Sequence, residues 1–468
     1  MSTLRFFNHY IHARVLLQVL LLALWVVGAV YAAVHLRLGL HPQAPRMSGF
    51  LLLLQAMAFA SVLLLCMFAI GAGHRPRDGG PLSVILRVVA GFILAGMCLL
   101  VLFSLLPSLH PGRGITILAL LFALPGALAV QFFDYHASKK SETRWRVLFY
   151  GAGADAAELL SRLRRRSDYR FFALIGCVPV PGEDVQVKPQ QLCEAKGSLS
   201  SIVRKQHIDE IVVVMDERRG NFPATELMDC RIHGIHVSDA LTFYERQTGR
   251  IKTELLTPDW LIYSDGFNQS LLEDGIKRVL DLIFATILLI ISAPIMLLTA
   301  LAILLDDGFH GPVFFVQTRV GRDGREFRII KFRSMRVDAE AEQTAQWAER
   351  DDPRITRAGV FIRKHRLDEL PQLLNVIKGD MSLVGPRPER PEFVPQLNKT
   401  LPYYSLRHQV KPGITGWAQL KYPYGASEED ANAKLQYDLY YVKNRSTFLD
   451  FLILLGTVEV VLARKGAR

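Results

Sequence analysis

Four apolar stretches open the chain, at roughly Val15–Val34, Phe50–Ile70, Leu82–Leu106 and Ile115–Phe133. Each approaches the ~20 residues that a helix needs to cross the hydrocarbon of a bilayer. In lipid, backbone N–H and C=O groups must be satisfied inside the segment, so runs of this kind fold as helices. Half of the 468 residues are hydrophobic and mean hydropathy is positive. A chain of this length exceeds one compact core and has room for two or three domains. The first run follows Arg5 and Arg14, and no small-residue cleavage site stands out after it. It reads as a retained anchor rather than a signal peptide.

Basic residues set the expected direction of the spans. Arg5 and Arg14 precede the first, Arg75 and Arg77 lie in the second loop, and Lys139, Lys140, Arg144 and Arg146 follow the fourth. The first and third loops offer Arg37, Arg46 and Arg113. The N-terminus, the second loop and everything after the fourth span are therefore expected to face the cytoplasm. The net charge of +11 suits lipid headgroups and phosphorylated substrates. No basic stripe interleaved with aromatics suggests a nucleic-acid groove. Five scattered cysteines, Cys66, Cys98, Cys177, Cys193 and Cys230, contain no CxxC. They argue against a disulfide framework or a zinc site.

"RVLFYGAGADAAELLSRLRRR" begins at Arg146. Val147–Tyr150 reads as a buried strand, Gly151 to Gly153 as a tight turn, and Ala156–Leu163 as a helix. "FFALIGCVPV" from Phe171, "IDEIVVVMDE" from Ile208 and "GIHVSDA" from Gly234 supply further strands. Strands alternating with helices predict a parallel, doubly wound, Rossmann-like sheet. GxGxxA after a strand can seat a pyrophosphate on a helix N-terminus. The ribose-binding acid of that fingerprint is missing, because the next strand ends in Pro179 and Pro181. A folded spacer, or a regulatory or oligomerising domain, is the other reading, and it makes a homodimer plausible.

A fifth apolar run, Val279–Leu305, is long enough to cross. An odd crossing would carry the rest of the chain out of the cytoplasm. Ser292 and Pro294 lie near its middle. Proline removes a backbone donor and bends a helix, and a nearby serine can bond a carbonyl it releases. A helix broken there can enter the bilayer and return on the same side. Lys277 and Arg278 at one end, and Asp306 and Asp307 at the other, would then share one interface.

Beyond Gly311 the character changes. "GPVFFVQTRVGRDGREFRIIKFRSM" alternates around Asp323-Gly324 as a strand pair and delivers Lys331 and Arg333 close together. "GVFIRKHRLDELPQLLNVIKGD" reads as a helix carrying Arg363, Arg366, Asp368 and Glu369, bent near Pro371. "GPRPE" holds Arg387 between prolines. Adjacent carboxylates among arginines and lysines can hold a divalent cation and a diphosphate together. Magnesium takes one or two carboxylates plus phosphate oxygens, and arginine matches phosphate in pairs of bonds. A carboxylate can also attack phosphorus. Taken alone, "RLDEL" would be a solvated ion-pair patch.

The blocks "SAP", "VFFVQTRVG", "KFRSM", "LDELPQLLNVIKGDMSLVGPRPE", "PGITGWAQ" and "YDLYYVKNRS", in this order, resemble the bacterial sugar transferases. These are monotopic phosphoglycosyl transferases that act on polyprenyl phosphate. The apolar front and glycine-turn middle resemble the family's large members. The resemblance implies a membrane α/β protein. A four-helix transmembrane domain would span 1–140, a Rossmann-like domain 141–262 and a linker 263–276. An α+β catalytic domain would span 277–468, with a re-entrant helix over 279–305 shaped by Ser292 and Pro294.

It further implies transfer of a sugar 1-phosphate from a UDP-sugar to undecaprenyl phosphate, with release of UMP. UDP-glucose or UDP-galactose are the first donors to expect. Asp368 would be the nucleophile and Glu369 a ligand of Mg2+. Arg387, with Lys331, Arg333 and Arg366, would hold phosphate. The product would start an exopolysaccharide, capsule or O-antigen at the bacterial inner membrane. "TFLDFLILLGTVEVVLARKGAR" would lie at the lipid interface or pack as a C-terminal helix. Two rivals are a membrane-bound nucleotide-sugar dehydratase and a non-catalytic scaffold for polysaccharide assembly. The dehydratase needs Tyr-x-x-x-Lys after the glycine turn, whereas Tyr135–Lys139 lies before it. The intact acid pair argues against the scaffold.

Overall fold

The computed structural model describes residues 3–6, 9–40, 48–70, 81–137, 144–163, 172–193, 197–216, 222–256, 258–264, 266–267, 270–337, 354–422 and 427–462. Arg46, Arg75, Arg77, Lys139, Lys140 and the basic end of the tail lie outside them. The chain forms two compact units that divide between Thr248 and Gly249, apart from a few residues near the N-terminus.

In the first unit two short strands, β1 (Thr3–Phe6) and β2 (His9–His12), pair ahead of four long helices. These are α1 (Ala13–Leu40), α2 (Gly49–Ala69), α3 (Pro81–Leu105) and α4 (Arg113–Ala137). They share one apolar core, which includes Val26, Phe59, Leu63 and Leu99. Alanines 33, 56, 60, 95, 123 and 127 are buried in it, the small side chains that let helix backbones approach in lipid. The outward surface is apolar too, with Leu24, Phe50, Leu100 and Phe133 exposed. Helices apolar on every side are those of a membrane protein. Among the described residues five helices are long and apolar enough to cross, the fifth being Leu271–Asp306.

The same unit holds a parallel sheet. Its elements are β3 (Trp145–Tyr150), α5 (Ala154–Arg162), β4 (Phe172–Val178), α6 (Leu199–Lys205), β5 (Glu210–Val213), α7 (Ala224–Ile232), β6 (His236–Asp239) and α8 (Ala240–Thr248). Strand order is β4-β3-β5-β6, all parallel. Both faces are covered, by clusters around Phe149 and Phe243 and around Ile211 and Val213. Burial on both faces explains the near-continuous apolar strands. The expected alternation of parallel strands and helices is present.

The second unit begins at Gly249 and includes α9 (Pro258–Tyr263). The 36-residue α10 (Leu271–Asp306) follows, with Pro294 inside it. An antiparallel hairpin comes next, β7 (Phe314–Val320) and β8 (Glu326–Phe332). Its turn carries Asp323 at φ 57° and Gly324 at φ 76°. Then come α11 (Arg357–Lys364), α12 (Gln372–Lys378), β9 (Ser382–Val384), α13 (Val394–Thr400), β10 (Gly413–Thr415), α14 (Trp417–Lys421), α15 (Glu428–Asn444) and α16 (Thr447–Leu462). β9 and β10 pair in parallel. They come so close that a Cβ on Gly413 would lie 2.0 Å from the Gly385 nitrogen. Leu449 and Ile453 of α16 are fully buried, so the described part of the tail packs as a helix on its own unit.

Candidate active site

The expected single helix around the acid pair is interrupted. α11 ends at Lys364, and Arg366 takes a left-handed backbone, φ 55°. That conformation costs a side-chain-bearing residue about 1–2 kcal/mol. Leu367–Glu369 then form one 3-10 turn before Pro371 leads into α12. Asp368 and Glu369 therefore occupy the joint between two helices, a place where strain collects at functional sites.

Four basic side chains surround the pair. Arg387 Nη2 donates to Glu369 Oε1 at 2.8 Å. Lys331, brought by β8, sits with Nζ 3.7 Å from the same oxygen, and Arg366 Nη1 is 3.9 Å from Oε2. Arg363 acts electrostatically on Asp368. Four positive charges stand against two negative ones, so the site carries a net surplus for an anionic ligand.

Burial and neighbours drive the two acids apart. For Asp368, burial and then the Glu369 charge push the carboxyl up to about 6, against the pull of Lys331 and Arg387. Burial also works against ionisation of Glu369. The Arg387 and Lys331 charges outweigh it and hold that carboxyl at about 2. Burial draws the Lys331 ammonium down, with Glu369 opposing and Arg387 adding to the fall. One acid is thus a fixed anion, while the other titrates near neutrality, the condition of a poised reactive carboxyl.

The other expected site residues fall in different places. Arg333 leaves the site: β8 ends at Phe332, and Arg333 Nη2 bonds Asp307 Oδ2 at 2.9 Å, at the end of α10. Ser292 is buried within α10, its hydroxyl 3.4 Å from the Leu289 carbonyl. Gly151 and Gly153 form the turn after β3, but three amides of this turn already face carboxylates. Ala152 N donates to Glu183 at 2.8 Å, and Ala154 N and Asp155 N donate to the Asp216 carboxylate at 2.8 Å each.

Sequence reasoning passed over two buried supports. Arg407 Nη2 donates to the Arg387 carbonyl at 2.9 Å and pairs with Asp438 at 2.8 Å, while its Nη1 bonds the Tyr404 hydroxyl at 2.6 Å. Tyr441 and Lys277 donate to the Val384 carbonyl, and both also donate to the Asp450 carboxylate. A hint was present in "YDLYYVKN": Asp438 and Tyr441 are polar groups three apart on one face of a predicted helix.

Residues 272–464 match the family model described as bacterial sugar transferase. The chain is 44% identical over 242 residues to the UDP-N-acetylgalactosamine-undecaprenyl-phosphate N-acetylgalactosaminephosphotransferase of Aeromonas hydrophila, covering 52% of this chain and 56% of that protein. It is 33% identical over 342 residues to the undecaprenyl-phosphate glucose phosphotransferase of Komagataeibacter xylinus, covering 69% and 60%. It therefore spans less than two thirds of the length of these two relatives. An uncharacterized sugar transferase of Bacillus subtilis, EpsL, is 42% identical over 191 residues, 41% of this chain and 89% of that one. With 89% of that relative covered at 42% identity, the chain belongs to the bacterial sugar transferase family.

Proposed function

We propose that the protein transfers a sugar 1-phosphate from a UDP-sugar to undecaprenyl phosphate, releasing UMP. The observation that carries this reading is the acid pair itself: two adjacent, largely buried carboxyls at the joint of two helices, with Arg387 bonded to Glu369 at 2.8 Å and Lys331 and Arg366 within 4 Å of it. The names of the two undecaprenyl-phosphate phosphotransferase relatives support the substrate class. An Asp368 carboxylate oxygen attacks the phosphorus that bears the sugar. The bond to the bridging oxygen breaks, UMP leaves with the electron pair, and an acyl-phosphate remains. A phosphate oxygen of the polyprenyl phosphate then attacks the same phosphorus and returns Asp368 as carboxylate. Arg387 and Lys331 offset the diphosphate charge as it shifts to the leaving group. The lipid-linked product would begin an exopolysaccharide, capsule or O-antigen.

The acids suit Mg2+ brought in with the diphosphate. Among the described residues no group of three or more His, Cys, Asp or Glu could hold a metal by itself. Magnesium needs only one or two carboxylates when phosphate oxygens complete its shell. Glu369 Oε2 lacks a bond as short as that on Oε1, so Glu369 would hold the ion with Asp368 beside it. Bound there, magnesium would neutralise phosphate oxygens as a Lewis acid.

We also place α10 in the membrane as a re-entrant helix, with the catalytic unit on the cytoplasmic face. Both its ends bind one unit. Arg278 donates to the carbonyls of Val376 and Ile377, and Asp306 accepts from the Ala358 amide. A straight helix would hold these two anchors about 42 Å apart, and Pro294 between them is the point at which a helix in lipid can bend back.

One experiment tests activity, nucleophile and side together. Sealed inside-out membrane vesicles receive a panel of UDP-sugars, with UDP-N-acetylgalactosamine and UDP-glucose first, and UMP is measured. Wild type should release UMP without permeabilisation, and Asp368→Asn should release none. Equal release by Asp368→Asn would sink the nucleophile assignment. Release only after permeabilisation would put the unit on the other face.

A further inference from the structure

We infer that Tyr441 and Lys277 are positioning residues for Arg387, acting through the main-chain carbonyl of Val384. The inference rests on the transferase reading and extends it to groups that touch neither the acid pair nor its ligands. Only Gly385 and Pro386 separate Val384 from Arg387. The Val384 carbonyl accepts the Tyr441 hydroxyl at 3.0 Å and the Lys277 ammonium at 3.2 Å. Both donors also meet Asp450. The hydroxyl lies 2.8 Å from Oδ1, and Lys277 pairs with Oδ2. A phenol has one proton and an ammonium three. Whichever acceptor takes the phenol proton, an ammonium N–H remains for Val384. One turn along α10, Asp281 Oδ1 accepts from the Leu383 amide at 3.2 Å.

This network is almost dry: Tyr441 is 1% exposed, Asp281 7% and Asp450 8%. Its bonds cannot be traded for bonds to water, so breaking one leaves a buried polar group unmatched. It joins α10, β9, α15 and α16 at the foot of the segment that carries Arg387. Pro386 and Pro388 restrict the backbone on either side of the arginine. Beyond it, Arg407 grips the Arg387 carbonyl. The guanidinium on Glu369 is thus set by a short, stiff arch whose first foot is bolted to the apolar helix. A shift of that foot moves Arg387 against the reacting phosphate. Misplacement by an ångström is enough to cost orders of magnitude in rate. Lys277 and Asp281 lie on α10 itself, so the seat of that helix in lipid is transmitted to the arginine.

A double-mutant cycle tests this. Full-length protein in lipid nanodiscs, with polyprenyl phosphate and the best UDP-sugar of the panel, is followed by single-turnover UMP release. Tyr441→Phe should slow the step about 10-fold, with KM for the UDP-sugar changed less than about 3-fold. In an Arg387→Ala background the same change should have almost no further effect, since nothing remains to be positioned. Lys277→Met should behave alike, and it carries the test if Tyr441→Phe does not fold. Lys277→Arg, which keeps the donors, should recover most of the rate. Equal fold-losses with and without Arg387 would overturn the inference while leaving the transferase reading intact. A wild type that releases no UMP overturns both.

Discussion

Two of the chain's Asp-Glu dipeptides, one from each unit, show what the backbone does to the same side chains. Asp209-Glu210 enters β5, where successive residues point to opposite faces. Asp209 accepts from the Arg146 amide at 2.7 Å. Glu210 takes both its oxygens into a closed set: Arg246 Nη2 at 2.5 and 2.6 Å, Ser238 Oγ at 2.6 Å and Trp145 Nε1 at 3.0 Å. Burial raises the Glu210 carboxyl, and the His236 and Arg246 contacts more than reverse it. Asp368-Glu369 lies in a 3-10 turn, where neighbours stay close. There Glu369 has one short bond, and its charge forces the adjacent Asp368 upward. A strand separates the two acids and satisfies each. The joint between α11 and α12 keeps them together with cations in excess. The first arrangement is a support, and the second is a reagent.

The sharpest way to break this contrast is to remove the arginine from each. Arg387→Ala should cut UMP release at least about 100-fold, the scale of losing one charge-stabilising donor in a transition state, with a fall in Tm limited by Lys331 and Arg366, which still face Glu369. Arg246→Ala should do the reverse. Stranding the buried Glu210 costs about 3–5 kcal/mol of the first unit's stability, while release per folded molecule stays within about 2-fold. Thermal unfolding beside the UMP assay reads both. If Arg246→Ala abolishes release in fully folded protein, Glu210 is more than a support.

A smaller effect separates the two acids of the second pair. Asp368 titrates at about 6 against 3.8 unperturbed, so the fold favours its protonated form. That contribution is whole below pH 3.8 and lost as pH rises through 6. Asn imitates the protonated state, so Asp368→Asn should raise Tm at pH 7.5 by the equivalent of up to about 3 kcal/mol. The gain should vanish near pH 4. Glu369 titrates at about 2 against 4.5. Its contribution is present above 4.5 and lost as pH falls through 2, so Glu369→Gln should lower Tm at pH 7.5. Tm changes of the same sign would mean that the pair is not split.

Much of the reagent was legible, and its supports were not. The apolar helices, the hairpin turn at Asp323-Gly324 and the acid pair follow from local pattern: run length, alternation and neighbouring charge. Arg333 is drawn off instead by Asp307, 26 residues upstream at the end of α10, a partner that strand alternation does not reveal. The helix through Arg366 failed because its left-handed backbone answers to packing around the site, not to helical spacing. Tyr441 lies 57 residues from the carbonyl it holds, and Lys277 lies 107 from it. Pairing over such distances leaves no periodic trace, so only the folded chain reveals it.

The glycine turn after β3 offers the smallest effect and a second contrast with the acid pair. Both present the equipment of a phosphate site, yet the turn has filled its own. Asp216 caps the N-terminus of α5 through two amides, and Glu183 takes the Ala152 and Asp216 amides. The glycines have a reason that needs no ligand. A Cβ on Gly151, at φ 126°, would lie 1.9 Å from the Val214 carbonyl oxygen, and one on Gly153 would lie 2.2 Å from the Asp216 carboxylate. A nucleotide would have to displace two tethered carboxylates and bring its own negative charge beside them. We therefore expect about 1 mM NAD or UDP to leave the first unit's Tm unchanged, since a ligand stabilises only as far as it fills its site. Asp216→Asn should lower that Tm by the equivalent of about 1 kcal/mol, the worth of a charge at a helix N-terminus. A nucleotide-dependent rise confined to the first unit would mean that the carboxylates yield, and would restore the turn as a binding site.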